Sequence, residues 1–334
     1  MTETAALPVV DISALAGGSL AERRAVAEAL DRACADAGFL YVTGAQLDPA
    51  VFVRVLARAK AYFAQDDAAK MASYIGGSLN HSGYVPVGEE QFASATPDLK
   101  EAFDVNRDYL PVEGRRPLLG PNLWPAMPGF REDVLAYYAH VTGIGRQIFA
   151  AFALALGLEE DFFEAHTREP PSQLRLIHYP HDPAAHDRPG IGSHTDYECF
   201  TLLHATSPGL QIVDRDGVWR DVPLVPDTLI MNIGDMMEIM SNGRYVATRH
   251  RVKKVAEERY SFALFHACDY DHVVEPVVRG EAPRYAPLKS GEHLFNQTAQ
   301  TFRYLKERVR RGELVLNAAV PLDSFGRSVE PASA

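Results

Sequence analysis

Apolar residues recur at helical spacing in four parts of the chain. Alanine and leucine follow this spacing in residues 20–36, and residues 49–73 form a longer segment with charged faces. Residues 131–158 carry the strongest pattern, and residues 292–311 return to it. Because residues three or four positions apart share one face of a helix, these segments predict amphipathic helices.

The pattern changes to short strands in residues 173–276. Short apolar runs alternate there with Gly, Pro, Asp and Asn, whereas residues 75–122 are rich in loop-forming residues. Many short strands separated by turn residues are typical of an antiparallel sandwich or jelly roll. The sequence therefore predicts an α+β fold with a mainly β core, N-terminal helices and a C-terminal helix.

Composition narrows the classes of function. The chain has 334 residues, with 33 Lys and Arg against 44 Asp and Glu, and a net charge of −11. An acidic balance disfavours binding to nucleic acid, which needs a basic surface. No apolar run approaches the length of a membrane span, and the first residues lack a signal-peptide pattern. We expect a cytoplasmic protein with no membrane or nucleic-acid partner.

The cysteines fit that compartment. Cys34, Cys199 and Cys268 are scattered and form no CxxC pair, so neither a disulfide framework nor a zinc ribbon is indicated. We expect a monomer or a weak homodimer.

Two histidines and one aspartate carry the candidate chemistry. His194 and Asp196 stand one residue apart in a strand-like segment, where alternate side chains point to the same face, and His250 lies in a later strand-like run. Two imidazoles and one carboxylate suit a non-haem Fe(II) site that leaves coordination positions open. The simpler alternative is a hydrogen bond between a surface histidine and an aspartate.

A second pair follows the distal histidine. Arg259 and Ser261 stand one residue apart in another strand-like run, so a fixed cation and a hydroxyl share one face. This combination suits the carboxylate of a cosubstrate, because the planar guanidinium matches a carboxylate. The alternative for Arg259 is an ordinary surface ion pair.

In this order and spacing, His194-x-Asp196, His250 and Arg259-x-Ser261 resemble the iron- and 2-oxoglutarate-dependent dioxygenases. The most similar branch is the isopenicillin N synthase-like family, which includes bacterial enzymes. The resemblance covers most of the chain, including residues 8–13, 33–42, 174–180, 209–213, 219, 232–235 and 241–243. It implies a double-stranded β-helix (jelly roll) core, bound Fe(II), and 2-oxoglutarate and O2 as cosubstrates.

The resemblance also implies roles for single residues. His194, Asp196 and His250 would bind Fe(II), whereas Arg259, Ser261 and Tyr179 would hold 2-oxoglutarate. No catalytic side chain is expected beyond the metal centre. Asn232 and Asp235 are interpreted as structural. The expected activity is hydroxylation or desaturation of a small organic metabolite, coupled to decarboxylation of 2-oxoglutarate to succinate.

The substrate pocket is less well marked. Most candidates are large apolar residues near the metal strands or in N-terminal loops, and such side chains are usually part of a core. The candidates are Tyr84, Val85, Glu89, Phe103, Arg175, Tyr197, Cys199, Phe262 and Phe265.

Other interpretations stay open. Residues 82–85, Gly88-Glu89-Glu90 and Arg175 are similar to the bacterial ethylene-forming enzyme, which acts on 2-oxoglutarate and arginine. The chain departs from that enzyme at Ser261 and in residues 198–200. An isopenicillin N synthase-like oxidase that does not use 2-oxoglutarate and a non-catalytic metal-binding homologue are further alternatives.

The expected organisation has three parts. Residues 1–125 form an N-terminal dioxygenase region of helices and loops that packs on the core. Residues 126–320 form the jelly-roll core, and residues 321–334 form a flexible tail.

Overall fold

The computed structural model describes residues 4–91, 98–108, 116–181, 189–253, 257–278 and 280–316. The helices of this part are α1 (Leu20–Asp36), α2 (Pro49–Phe63), α3 (Asp67–Met71), α4 (Phe130–Ala155), α5 (Asp235–Met240), α6 (Ser290–Thr301) and α7 (Arg303–Arg310). The strands are β1 (Val9–Asp11), β2 (Phe39–Thr43), β3 (Gly83–Val85), β4 (Glu101–Asn106), β5 (Gln173–Tyr179), β6 (Ile191–His194), β7 (Phe200–Ala205), β8 (Leu210–Val213), β9 (Trp219–Asp221), β10 (Leu229–Ile233), β11 (His250–Val252), β12 (Arg259–His266), β13 (Val273–Val274) and β14 (Leu288–Lys289).

The predicted helix over residues 49–73 is divided in two. Helix α2 ends at Phe63, and α3 begins after Asp66, whose carboxylate accepts a hydrogen bond from the backbone N–H of Ala69 at 2.8 Å. Aspartate is favoured as an N-cap because its oxygen satisfies a backbone donor that has no partner within the helix. The apolar pattern continues across this break and therefore concealed it.

The predicted C-terminal helix is also divided. The backbone is extended at Phe302, between α6 and α7. Glu89 stabilises the new start, because its carbonyl oxygen accepts from the N–H of Arg303 at 2.9 Å and its carboxylate accepts from the N–H of Tyr304 at 2.8 Å. Helix α7 thus begins on contacts with a residue far earlier in the chain.

Two facing sheets form the double-stranded β-helix core. The larger has eight strands in the order β1-β2-β10-β7-β12-β5-β4-β3, and the smaller has four in the order β6-β11-β8-β9. Apart from the parallel pair β1 and β2, the paired strands are antiparallel. Strands β1 to β4 belong to the predicted N-terminal region, yet they hydrogen-bond directly to core strands.

The larger sheet separates two groups of buried side chains. Its outer face packs with α1, α2 and α4, through residues such as Phe103, Leu176 and Phe262. Its inner face carries Ile177 and Tyr179, which pack with strands of the smaller sheet and with α6 and α7. In the part of the chain that the structure describes, no helix is both long and apolar enough to cross a bilayer. The predicted tail, residues 321–334, lies outside the described residues.

Candidate active site

The candidate metal ligands lie on neighbouring strands of the smaller sheet. Strand β6 ends at His194, and β11 begins at His250, directly opposite it in the antiparallel register. Asp196 follows β6, with its Oδ1 atom 3.6 Å from Nε2 of His194 and 3.5 Å from Nε2 of His250. One ligand atom from each residue lies within 4.8 Å of the others. The arrangement can hold one metal ion.

Hydrogen bonds orient the two histidine rings. The Nδ1 atom of His194 is 2.8 Å from the carbonyl oxygen of Gly192, and that of His250 is 3.1 Å from the carbonyl oxygen of Thr248. A protonated Nδ1 that donates to each carbonyl leaves Nε2 unprotonated, the form that binds metal. The set therefore fits a borderline cation such as Fe(II).

The aspartate is oriented in the same way. Asp196 accepts hydrogen bonds at Oδ2 from the hydroxyl of Thr201 and, at 2.7 Å, from the amide of Asn232. These contacts leave Oδ1 directed toward the two imidazoles. Asn232 was interpreted as structural, and its contact shows that it supports the site by fixing a ligand.

Burial and the mutual interactions of the ligands together set their charge states, and although burial opposes it, Asp196 raises the pKa of His250. Burial and the neighbouring His250 lower the pKa of His194 to about 3. Burial alone would raise the pKa of Asp196, but His250, His194 and the Asn232 amide together hold it below its ordinary value. A neutral imidazole and an ionised carboxylate are the forms that coordinate a metal.

Arg259, Ser261 and Tyr179 form a buried anchor on the inner face of the larger sheet. Each side chain is about 1% exposed. The guanidinium of Arg259 lies 4.6 Å from the centre of the Tyr179 ring and donates from Nη1 to the Ser261 hydroxyl at 3.2 Å. Its Nε donates to the carbonyl oxygen of Ser207 at 3.0 Å. The remaining N–H groups of the same planar fork suit an incoming carboxylate.

Close packing holds this anchor in place. Gly190 lies against the Tyr179 ring, and a Cβ atom at position 190 would lie 2.8 Å from Cδ1 of that ring. The N–H of Gly190 donates to the carbonyl oxygen of Val252 at 2.8 Å, which ties this turn to β11. A larger residue at position 190 would displace the tyrosine that supports Arg259.

A narrow cavity opens beside the metal ligands. Its wall includes His194, Asp196, Arg175 and Glu90. Arg175 donates to both carboxylate oxygens of Asp104 at 2.8 Å, and its Nη1 donates to Glu90 at 2.9 Å. The Arg175 side chain thus lies between two carboxylates, one of which faces the cavity.

Ion pairs fix the charge states of Glu90 and Arg175. Glu90 also accepts from the ammonium group of Lys100. Although burial opposes it, the cations of Arg175 and Lys100 lower the pKa of Glu90 to about 2. Burial likewise would lower the pKa of Arg175, but Asp104 and Glu90 raise it well above its usual value. Glu90 and Arg175 therefore remain ionised.

Several predicted pocket residues lie elsewhere. Tyr84, Phe103 and Phe262 belong to the outer face of the larger sheet and to the core beneath the helices. They alternate along their strands with inner-face residues, and a difference of one position moves a side chain to the other face. These three residues, which we predicted to line the substrate pocket, therefore do not line the cavity.

Two consecutive glutamates, Glu89 and Glu90, have different environments. The Glu89 carboxylate accepts from the Tyr74 hydroxyl at 2.9 Å and from the start of α7, whereas Glu90 lines the cavity. The prediction of Glu89 as a pocket residue is therefore corrected to Glu90. Arg175, Tyr197 and Phe265 do line the cavity, but Cys199 is buried, with its Sγ 3.6 Å from Sγ of Cys268.

The sequence analysis did not identify the remaining residues that line the cavity. Glu198 follows the metal motif, and burial, reinforced by Asp196, raises the pKa of its carboxyl group to about 8. Most of the other unmarked residues come from the C-terminal helices or distant loops, so no local pattern could have found them. They are His81, Gln173, Thr195, Thr298, Thr301 and Phe302.

Two family models match the chain. The model of the 2OG-Fe(II) oxygenase superfamily matches residues 170–267, and the model of the N-terminal region of non-haem dioxygenases in morphine synthesis matches residues 7–127. Together they include the candidate metal ligands and the anchor residues on β12.

Individual relatives extend over nearly the whole chain. The 2-oxoglutarate-Fe(II) type oxidoreductase hxnY of Emericella nidulans is 34% identical over 302 residues, which cover 84% of this chain and 86% of that protein. The homoarginine-6-hydroxylase 2-ODD-233 of Oryza sativa subsp. japonica is 32% identical over 327 residues, covering 89% and 98%.

Solved structures share the fold. A 2OG-Fe(II) oxygenase family protein from Caulobacter crescentus superposes with a TM-score of 0.77 at 31% identity and covers 92% of this chain and 99% of its own. The dioxygenase for auxin oxidation in rice has a TM-score of 0.69 at 28% identity over 92% and 96% of the two chains. The chain therefore belongs to the 2-oxoglutarate–Fe(II) oxygenase superfamily and is an Fe(II)- and 2-oxoglutarate-dependent dioxygenase that oxidises a small organic molecule.

Proposed function

We propose that the substrate is a small metabolite with a positively charged amino or guanidino group, and that the reaction is hydroxylation. The observation that carries the proposal is the position of Glu198. Its side chain lines the same cavity as the metal ligands His194 and Asp196. Burial raises the pKa of this carboxyl group to about 8, so a cationic substrate group would favour its ionised form and pair with it while the rest of the substrate lies against the metal centre.

The existing pairs favour a cation over an anion as ligand. Arg175 and Lys100 are engaged with Asp104 and Glu90. Within the described residues, no lysine or arginine forms an ion pair with Glu198. A cationic substrate group would pair with the ionised form of Glu198, whereas an anionic group would face the ionised Glu90 carboxylate and oppose ionisation of Glu198. Buried charges are stable only when paired, so complementarity favours the cation.

The relatives agree with this chemistry. The rice relative is named a homoarginine-6-hydroxylase, as are relatives from Arabidopsis thaliana and Glycine max. Homoarginine combines a guanidinium group with an α-amino acid. Under this proposal the present chain uses a substrate of the same chemical class.

The residue roles follow from the geometry. We infer that His194, His250 and Asp196 hold the iron through Nε2, Nε2 and Oδ1, and that Arg259 holds the distal carboxylate of 2-oxoglutarate. Ser261 accepts from Arg259 and can donate its own proton to that carboxylate, while the Tyr179 ring supports the guanidinium. When bound, iron with 2-oxoglutarate and O2 supplies the oxidising chemistry.

The remaining side chains orient the substrate and exclude water. Phe265 and Phe302 give the cavity an apolar part, and Glu198 fixes the cationic end. A substrate held at one charged end presents a fixed carbon to the metal centre, which restricts oxidation to one position.

Succinate release tests the proposal. The enzyme would be supplied with Fe(II), 2-oxoglutarate and each of homoarginine, arginine, lysine and citrulline. Citrulline has nearly the shape of arginine without its charge, so we expect at least a tenfold preference for arginine over citrulline. Equal stimulation by both would reject the cationic class but leave the dioxygenase activity standing.

A pair of variants locates the recognition. Glu198→Gln keeps the size of the side chain but removes its ability to ionise, so the half-saturating concentration of the cationic substrate should rise roughly 10- to 100-fold. The half-saturating concentration of 2-oxoglutarate should not change. Glu132→Gln, at an exposed position of α4, is the matched control. An unchanged substrate affinity in Glu198→Gln would exclude Glu198 from recognition.

We further propose that the protein works in a reducing cytoplasm as a monomer or weak homodimer. Support for the reducing compartment comes from Cys34, Cys199 and Cys268, which form no disulfide and are buried. Light scattering across a concentration series would test the oligomeric state.

A further inference from the structure

A second cavity lies on the opposite side of the larger sheet from the metal ligands. Its volume is about 380 Å³. That size falls within the range of small-molecule sites, roughly 300–1,000 Å³. One wall is a stripe of α4 that includes Leu135, Ala139, Thr142 and Arg146, which share a helix face because of their spacing.

The facing wall carries a buried histidine. His266, at the end of β12, is 3% exposed, and within the described residues its Nε2 atom has no hydrogen-bond partner. Its ring stacks on Phe200, with ring centres 4.6 Å apart. Burial lowers the pKa of His266 to about 3, so the ring is neutral.

Helix α4 is shaped to accept this ring. A Cβ atom at Gly145 would lie 2.0 Å from Cε1 of His266. Glycine destabilises the interior of a helix relative to alanine, and a buried polar atom without a partner destabilises the fold further. Gly145 and the unpaired Nε2 atom of His266 both lower the stability of the fold, so stability does not account for their presence.

A second polar atom without a partner lies on the helix wall. The hydroxyl oxygen of Thr142 is buried and forms no hydrogen bond with any described residue. Thr142 stands one turn before Gly145, so the hydroxyl and the His266 ring lie beside the same short stretch of helix. Both residues line the cavity, and each has a hydrogen-bonding group that no described residue uses.

The mouth of the cavity is positively charged. Arg146 is exposed and has no ion-pair partner among the described residues. Arg107 also lines the mouth and donates to the carbonyl oxygen of Arg168 at 2.5 Å. The acidic group there, Asp108, is already paired with Arg131 at 2.5 Å.

We propose that this cavity binds a small carboxylate with an apolar body, at a site separate from the catalytic centre. The carboxylate would meet Arg146 and the donors of Thr142 and His266, and the body would pack on Leu135 and Phe149. The site goes beyond the proposed oxidation, because His266 and the cavity-lining Phe265 point to opposite faces of β12.

Calorimetric titration of the iron-loaded enzyme tests the site. The titration is anaerobic, with 2-oxoglutarate at saturation so that the probe cannot bind at the cosubstrate anchor. The probes are benzoate, 4-(trifluoromethyl)benzoate and 2-naphthoate, with 4-(trifluoromethyl)benzyl alcohol as the uncharged analogue. We expect one saturable site for at least one carboxylate and at least tenfold weaker binding of the alcohol.

Variants show where the probe binds. Ala139→Trp fills the cavity from an exposed position of α4, and Arg146→Glu reverses the charge at its mouth, so each should weaken binding at least tenfold. Ala136→Trp on the same helix and Arg24→Glu on α1 are matched controls at exposed positions outside the cavity. All four should retain turnover of the catalytic substrate.

Two results would overturn the proposal. One is the absence of binding by all three carboxylates. The other is equal affinity in Ala139→Trp and Ala136→Trp, which would place the probe elsewhere. Melting temperatures of the four variants confirm that a loss of binding does not come from unfolding.

Discussion

The two faces of the larger sheet are both buried, yet they carry different kinds of side chain. On β12, the inner face presents Arg259, Ser261 and Phe265, which belong to the anchor or the cavity. The outer face of the same strand presents Phe262 and Leu264, which pack against the helices. One strand therefore contributes alternately to the candidate site and to the core.

This difference shows how stability and activity are separated. The outer face loses stability when its packing is reduced, because close-packed apolar side chains supply most of the favourable free energy of folding. The inner face holds paired charges and the hydrogen-bonded candidate ligands, and we expect the loss of a candidate ligand to affect binding more than folding. Substitutions one residue apart should then give different phenotypes.

The largest effect is expected at the metal ligands. Asp196→Ala removes the only anionic member of the candidate triad, so turnover should fall roughly 100-fold or more, since even residues that merely support metal ligands contribute 10- to 100-fold. Succinate release with added Fe(II) measures this. Asp216→Ala, in an exposed turn, is the control and should behave as wild type. Normal turnover in Asp196→Ala would mean that the metal binds elsewhere.

A smaller effect is expected at the anchor. Arg259→Lys keeps the charge but loses the planar fork, so the half-saturating 2-oxoglutarate concentration should rise roughly 10- to 100-fold. Iron affinity, measured in the absence of 2-oxoglutarate, should stay the same. An unchanged dependence on 2-oxoglutarate would show that Arg259 serves only the core.

A pair of phenylalanines tests the comparison directly. Phe262→Ala, on the outer face, should lower the free energy of unfolding by about 3–5 kcal/mol while leaving the half-saturating concentrations of the folded enzyme unchanged. Phe265→Ala, on the inner face, should instead raise the half-saturating concentration of the substrate. Denaturant unfolding and succinate release separate the two outcomes. If both variants show the same change, the faces are not functionally distinct.

The smallest effect concerns the fate of 2-oxoglutarate. Because the Arg259 and Ser261 anchor would hold the distal carboxylate, we expect succinate as the main product and ethylene as a minor or absent one. Headspace gas chromatography with arginine as substrate measures the ratio. Ser261→Ala should raise the half-saturating 2-oxoglutarate concentration only about fivefold, the effect of one hydrogen bond. Ethylene as the main product of the wild type would show that Glu90 and Arg175 dominate the reaction.

Much of this architecture could be predicted from local patterns. Helices α1 and α4 follow from apolar spacing, since each packs one face against the core. The Arg259 pair stands out because alternation along β12 brings its two side chains to one face, and the metal motif stands out by its spacing, although Asp196 lies beyond the end of β6. The breaks at Asp66 and Phe302 depend on single capping contacts, which the apolar pattern does not reveal.

The pocket could not be assigned in the same way. Strand β4 is buried on both sides, so its sequence does not distinguish Phe103 on the outer face from Asp104 on the inner face. Thr298 and Phe302 reach the cavity through the packing of the C-terminal helices, a contact set by the whole fold. Alternation along a strand divides its residues into two faces, and only the tertiary structure shows which face lines the cavity.

The pairing of His194 with His250 across β6 and β11 has a thermodynamic consequence. The ligands come from segments far apart in the chain and meet only when these strands are in register. A metal that binds the folded state alone shifts the folding equilibrium, and each tenfold increase of free metal above its dissociation constant adds about 1.4 kcal/mol of stability. Iron supply would thereby change the fraction of the protein that is folded as well as its rate of turnover.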